Sequence, residues 1–375
     1  KQEEWKYTYF NNIIKNIDIL ANNNTIPNSI NNDYIDAICY SPNRLVFVNG
    51  QFQSALSSLE QNPKIIFWNG IADNFIADNN FLIQLNQALS TDALHIELAD
   101  NLLLENPIEL VYINTNANSM LQHHNQIKVG KNTQVQFIEH YINDDNFLSY
   151  MNNYTTISVA ENAVVQWYKI QDAGNQLNIT DNTYINQDKT SVCSVFTTTL
   201  SANIVRNVLH FASNGEHTES NMYGLYLLNN NEHVDNRTQV DHKVANCNSN
   251  ELYKGIIGGE AVGVFNGKII VHKDAQKTNA FQSNKNILIS DEAHVYTKPQ
   301  LEIYADDVKC SHGATIAQIE DSELFYLRSR GIDKESAKNY LSYAFALEVI
   351  ESISNKNIRE LLIKKIAKKL NIDIE

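Results

Sequence analysis

From about Leu94 the apolar positions fall into short β-like runs broken by polar turns. A motif recurs among them: an aliphatic residue, two or three polar or small residues, Ala or Thr, one further residue, then Val. Val129-Gly130-Lys131-Asn132-Thr133-Gln134-Val135, Val159-Ala160-Glu161-Asn162-Ala163-Val164-Val165 and Ile289-Ser290-Asp291-Glu292-Ala293-His294-Val295 carry it, and Ile257-Gly258-Gly259-Glu260-Ala261-Val262-Gly263 fits as well. Thr133 and Ala163 are 30 residues apart, Ala261 and Ala293 32. A period of this size with β character predicts stacked coils. One coil cannot bury its own apolar face, so stacking builds a continuous core. A β-sandwich with repetitive turns is the competing reading. The scarcity of Pro and the similar spacing favour the solenoid.

The flanks read differently. Trp5, Phe10, Ile13, Ile14, Ile17 and Leu20 lie at helical spacing over residues 5–20, and Phe75 to Leu89 is predicted helical too. Between them Leu45-Val46-Phe47-Val48-Asn49-Gly50-Gln51-Phe52 predicts a hairpin with an Asn-Gly turn. After Thr315 the pattern becomes helical, with Asp333 or Ser336 as N-cap. Two apolar stripes follow, one from Leu341 through Phe345, Leu347 and Ile350 to Ile353, the other from Ile358 to Leu370. Two short helices cannot bury both stripes between themselves, so they must cover the solenoid or a partner. The expected division is a mostly helical region over 1–93, a solenoid over 94–318 and a helical region over 319–375.

Composition narrows the class. The chain has 375 residues, 43% of them apolar and 19% charged, with 5 Pro and 13 Gly. Asn carries much of the polarity, which suits turns. A net charge of −14 argues against a nucleic-acid partner, which needs a basic face. The lysine-rich run over 356–369 reads as a solvated helix face. Four scattered cysteines without a C-x-x-C, no signal-peptide core and no run of 18 apolar residues predict a reduced, cytoplasmic protein without a membrane span. The chain begins at Lys1 and reads as trimmed.

Several chemistries are missing. The nearest approach to a P-loop, Gly263 to Ile269, is one residue short and ends in Ile, so ATP hydrolysis is not expected of this chain. No G-x-G-x-x-G, H-E-x-x-H or G-x-S-x-G is present. A secreted-type β-helix enzyme acting on carbohydrate would want clustered acidic and basic residues. Asp235-Asn236-Arg237 and Asp241-His242-Lys243 are its candidates, but surface charge at loop ends is the favoured reading. His123 and His124 should point to opposite strand faces. Cys247 reads as solenoid core, Cys193 and Cys39 as structural.

Lys309-Cys310-Ser311-His312-Gly313-Ala314-Thr315 is the chemically distinctive stretch. In a strand, residues i and i+2 share a face, roughly 6.5–7 Å apart. Cys310 and His312 would present two metal ligands on one surface, half of a site that usually needs four. A lone histidine is more often structural, and Cys310 is the lesser candidate. Together with Lys298-Pro299-Gln300-Leu301-Glu302-Ile303, Asp306-Asp307-Val308 and Leu324-Phe325-Tyr326-Leu327-Arg328-Ser329-Arg330-Gly331, the stretch resembles the SufB/SufD family of iron–sulfur cluster assembly scaffolds. Gly313 after the His looks like the SufD branch; SufB chains typically carry Glu there, are longer and have more cysteines. The resemblance implies a mainly β protein, a right-handed parallel β-helix flanked by helical regions. It implies a non-catalytic scaffold subunit pairing with a SufB-like chain and SufC-like ATPases. It also implies a transient cluster at the subunit interface, with His312 facing a SufB cysteine, and a role in nascent cluster formation or iron acquisition. The C-terminal stripes, led by Tyr340, Phe345 and Leu347, are the expected ATPase dock. A homodimeric structural protein without a metal role is the remaining alternative, and a homodimer is conceivable for the isolated chain.

Overall fold

The computed structural model describes residues 5–17, 26–70, 80–90, 92–143 and 146–373. The chain winds into a β-solenoid of about eight turns with helices at both ends. Each coil gives one strand to each of two facing sheets. The first sheet stacks β1 (Asn43–Val48), β5 (Ile108–Asn114), β7 (Gln134–Asn143), β9 (Val164–Asp172), β11 (Val192–Ser201), β13 (Glu219–Leu228), β15 (Asn248–Ile257), β17 (Asn279–Leu288) and β19 (Lys309–Gln318). The second stacks β3 (Ile65–Gly70), β4 (Ala93–Leu98), β6 (Met120–Val129), β8 (Ser149–Val159), β10 (Leu177–Gln187), β12 (Ile204–Ser213), β14 (His233–His242), β16 (Val262–Val271) and β18 (His294–Ile303). The stacked strands pair in parallel, which separates this architecture from an antiparallel sandwich.

The recurring motif has a local cause. Asn101, Asn132, Asn162 and Thr190 hold the left-handed conformation (φ +58°, +55°, +59° and +56°) at successive corners, a conformation Asn tolerates. Their side chains stack: Asn132 Nδ2 donates to Asn101 Oδ1 at 3.0 Å and Asn162 Nδ2 to Asn132 Oδ1 at 3.2 Å. The small residues after the corners, Thr133 and Ala163, turn inward and are buried, as are Ala261 and Ala293 in their own coils. Leu, Ile, Val and aromatic side chains from both sheets fill the space between them.

The ends of the stack differ. At the N-terminal end β1 turns back through Asn49 and Gly50, both at positive φ, into β2 (Gln51–Phe52), and β3 runs antiparallel to β4. The sheets therefore begin before residue 94, and the stretch expected to be mostly helical supplies three strands. At the other end no strand among the described residues continues beyond β18 and β19, and β19 is exposed along nearly its whole length.

Of the helix predicted over 5–20, only α1 (Phe10–Ile13) forms, and residues 18–20 lie outside the described residues. Trp5, Tyr7 and Thr8 instead lie along the second sheet, Trp5 over the Arg206 guanidinium (4.0 Å) and Tyr7 stacked on Tyr296 (4.2 Å). α2 (Asn32–Ile38) packs on the outer face of β1 and β5. α3 (Phe81–Leu89) realises the second predicted helix; residues 75–79 of that prediction lie outside the described residues.

The C-terminus forms three helices, α4 (Asp321–Ser329), α5 (Lys334–Ile350) and α6 (Lys356–Lys369). Asp333 caps α5, accepting from the backbone N–H groups of Glu335 and Ser336 at 3.0 Å each. α5 and α6 lie on the outer face of the first sheet. There Val349, Ile350, Ile358, Leu362 and Ile366 bury Ile138, Tyr168, Phe196, Leu225 and Ile256. The lysine run is therefore not uniformly solvated. Lys365 pairs with Asp172 at 2.7 Å and Lys369 with Glu232 at 3.5 Å, tying α6 to the coils.

Candidate functional site at the open end of the solenoid

Parallel stacking turns the coil period into columns of side chains. One inward column of the first sheet runs Phe137, Trp167, Val195, Met222, Glu251, Gln282, His312. The next runs through Cys193, Ser220, Ser249 and Ala280 to Cys310. Cys310 and His312 thus share the inward face. They differ in cover. Cys310 is half-buried against Ile269, Ala280, Ala305 and Val308, and this burial raises its thiol above the usual range. His312 is exposed, because no further coil among the described residues covers β19. A thiol with a raised pKa is a poor thiolate donor, and of the two side chains the imidazole is the more accessible. Among the described residues no group of three or more His, Cys, Asp or Glu side chains could hold a metal ion.

Beneath His312 the column changes character. Phe137 to Met222 are apolar and fully buried, but the next two positions are Glu251 and Gln282, both also buried. Gln282 Nε2 donates to Glu251 Oε2 at 2.7 Å. Burial pushes the Glu251 carboxyl up to about 7, with Thr238 and Gln282 holding it back from rising further. Neither residue stood out in the sequence. The signal was the spacing: 251, 282 and 312 are one coil period apart.

Deeper in the solenoid lies a second buried polar group. Lys169 Nζ sits 2.6 Å from Asp181 and 3.0 Å from Glu139. Tyr141 donates to Glu139 at 2.5 Å and Trp167 Nε1 to the same carboxylate at 2.9 Å. Burial raises the Glu139 carboxyl, and Lys169 only partly counters this. Burial opposes the Lys169 charge, yet the two carboxylates outweigh it and hold the ammonium above its ordinary value.

The loop-end reading of Asp235, Arg237 and Asp241 is corrected here. Asp235 is buried within β14, bonded by Thr8 at 2.8 Å and paired with Arg206 and with Arg237 at 3.1 Å. The N-terminal segment covers this patch, which is why it is not solvated. Asp241 pairs with His210 at 2.7 Å. These carboxylates are engaged in ion pairs within the fold, which disfavours the carbohydrate-enzyme alternative. His123 faces the core, its ring tilted against Tyr112 at 4.2 Å, while His124 lies on the opposite face beside Tyr154 at 4.9 Å. Cys193 and Cys247 are fully buried and Cys39 is half-buried.

Of the C-terminal residues singled out, Tyr340 is exposed, whereas Phe345 and Leu347 are half-buried. Phe345 packs on the solenoid under Lys254, whose Nζ lies 3.9 Å from the ring centre and donates to the Phe345 carbonyl at 2.8 Å. The most exposed aromatic side chains of this region are on α4, Phe325 at 73% and Tyr326 at 58%. The sequence displayed both residues, but helical spacing alone does not tell an uncovered stripe from a covered one.

The family model described as SUF system FeS cluster assembly, SufBD core domain, matches residues 111–345. The chain belongs to the SufBD family. Among its relatives, the iron–sulfur cluster assembly protein SufD of Escherichia coli is 31% identical over 99% of this chain and 88% of its own length. An iron–sulfur cluster assembly SufBD family protein of Synechocystis is 32% identical over 94% of this chain and 83% of its own length. Bacillus subtilis SufD is 23% identical over 85% of this chain and 74% of its own length. The SufBD core match spans most of the solenoid and ends within α5. No helix among the described residues is long and apolar enough to cross a membrane.

Proposed function

We propose that this SufBD-family chain is a SufD-type scaffold subunit that pairs through the open end of its solenoid with a larger SufB-like chain. The observation that carries this reading is His312, an uncovered imidazole on the last strand, whose outer edge pairs with no further strand among the described residues. An exposed strand edge invites another chain's strands. Such pairing would place His312 against the partner's ligands, where imidazole ligation of iron–sulfur clusters is chemically sound. Cys310 is the lesser ligand candidate. The cluster is cargo, held transiently between the chains, and the chain contributes to its formation or to iron acquisition without catalysing a reaction of its own. A SufC-like ATPase docks on the C-terminal helices, where Tyr340, Phe325 and Tyr326 offer exposed aromatic surface, with Phe345 and Leu347 at its margin. The proposed location is the cytoplasm.

The test is twofold. Tagged protein purified from its native cell is expected to carry a P-loop ATPase and a larger homologous chain; recovery of neither ends the reading. In the assembled complex His312→Ala is expected to cut cluster formation sharply and Cys310→Ala less, with the isolated chain's melting temperature nearly unchanged for His312→Ala. Cluster formation at the normal rate in the His312→Ala complex moves the ligand role to the partner chain alone.

A further inference from the structure

The switch from apolar to polar side chains beneath His312 has no evident packing reason. The four apolar positions from Phe137 to Met222 could be continued with apolar side chains, yet a carboxyl and an amide are buried in the last two covered positions. The opposite sheet makes room for the amide. A Cβ on Gly267 would collide with the Gln282 amide, so glycine at this point of β16 leaves space that Gln282, reaching across from β17, occupies beside Phe265. Gln282 Nε2 is committed to Glu251 at 2.7 Å, in the coil below. Gln282 Oε1 is buried and has no hydrogen-bond partner among the described residues. A buried amide oxygen left unpaired is destabilising, so its retention calls for a partner. The next residue of the column, one strand further out, is His312.

We propose that Glu251 and Gln282 are positioning residues for His312. The carboxyl group fixes the amide, the amide oxygen accepts one ring N–H of His312, and the other ring nitrogen is left with its lone pair directed out of the open end. Histidine ligands are commonly oriented this way, by a hydrogen bond to the nitrogen that does not bind metal. Here the orienting group acts through an amide from two coils away. The inference rests on the reading of His312 as the outward-facing ligand, but it is read in the free chain, without a cluster.

The experiment is nitrogen NMR of the full, isolated chain labelled at histidine nitrogen, with the His312 signals assigned by their loss in His312→Ala. In the wild-type chain at alkaline pH, the two ring nitrogens are expected at well-separated shifts, one protonated and one not. Gln282→Leu and Glu251→Leu should pull the two shifts toward each other. Glu251→Gln, which keeps an acceptor for the Gln282 amide, should preserve the separation. Gln282→Asn, polar but one methylene shorter, should lose it, and provides the reading if the leucine variants do not fold. Averaged shifts in the wild-type chain, or a separation that survives both Gln282 variants, overturn the relay. Failure of the ligand reading appears separately, as normal cluster assembly in the His312→Ala complex.

Discussion

Glu251 carries a pH signature. Its carboxyl sits at about 7 in the folded chain against an ordinary value of 4.5, and burial is the cause. A carboxyl raised on folding binds its proton more tightly in the native state. Its contribution is fully present below about pH 4.5 and is lost as pH rises through 7. A shift of that size corresponds to about 3 kcal/mol. Denaturant unfolding of wild type should therefore weaken between pH 5 and 8, and Glu251→Gln should flatten that slope and be the more stable of the two at pH 8. Parallel pH profiles for the two chains would refute this. Lys169 works in the opposite sense. It neutralises part of a buried pair of carboxylates, Glu139 and Asp181, so Lys169→Met strands them without a cation. Breaking a buried ion pair on one side costs about 3–5 kcal/mol, and a melting temperature within a degree of wild type would contradict it. At this scale the sequence displayed His312 and Cys310 because their neighbours resemble a family. It hid Glu251 and Gln282, because residues 31 and 30 positions apart become neighbours only once the coil register is known.

Among the elements, the coils were legible and their coverings were not. Corner asparagines, small inward residues and alternating strands repeat locally, and each repeat states the same instruction. The docking of α5 and α6 depends on which outer faces of the first sheet are apolar, and Ile138, Tyr168, Phe196 and Leu225 lie in four different coils. The short α1 shows the converse: its predicted stripe is present, but Trp5 and Thr8 find better partners in Arg206 and Asp235 than a helix would give them. Magnitudes rank what holds α5 and α6. Glu348 pairs with Lys254 and Lys285, but its side chain is half-exposed, and such a pair contributes roughly 0–1 kcal/mol. Leu362 is buried between α6 and the coils, and truncating a buried leucine costs about 2–5 kcal/mol. Calorimetry should thus show Leu362→Ala melting well below Glu348→Ala; the reverse order would mean that charge, not apolar burial, anchors these helices. Deleting residues 319–375 would uncover the same apolar face, so point changes such as Phe325→Ala with Tyr326→Ala are the cleaner probe of the proposed ATPase dock.

Over the whole molecule the solenoid is a one-dimensional stack with unlike ends. The first coils are closed by antiparallel β2 and β3, whereas the last coil ends on β18 and β19 with their outer edges free. Stacking supplies each coil's cover from its neighbour, so the terminal coil lacks half of its burial. The residues show it. Ile316 continues the inward column of Tyr226, Gly255 and Asn286, yet it is 46% exposed. An inward isoleucine left in water is what the proposed partner-binding end would show. Ile316→Lys places a charge on that surface. In the free chain it should cost little, since the side chain already touches solvent. In a mixture with the proposed scaffold partner it should abolish the heterodimer on size exclusion. Hydrogen exchange should add a second reading: the β19 amides slow on pairing in wild type and stay fast in Ile316→Lys. A heterodimer that forms normally with lysine at 316, with β19 protected, would show that the partner binds elsewhere and that the open end serves another purpose.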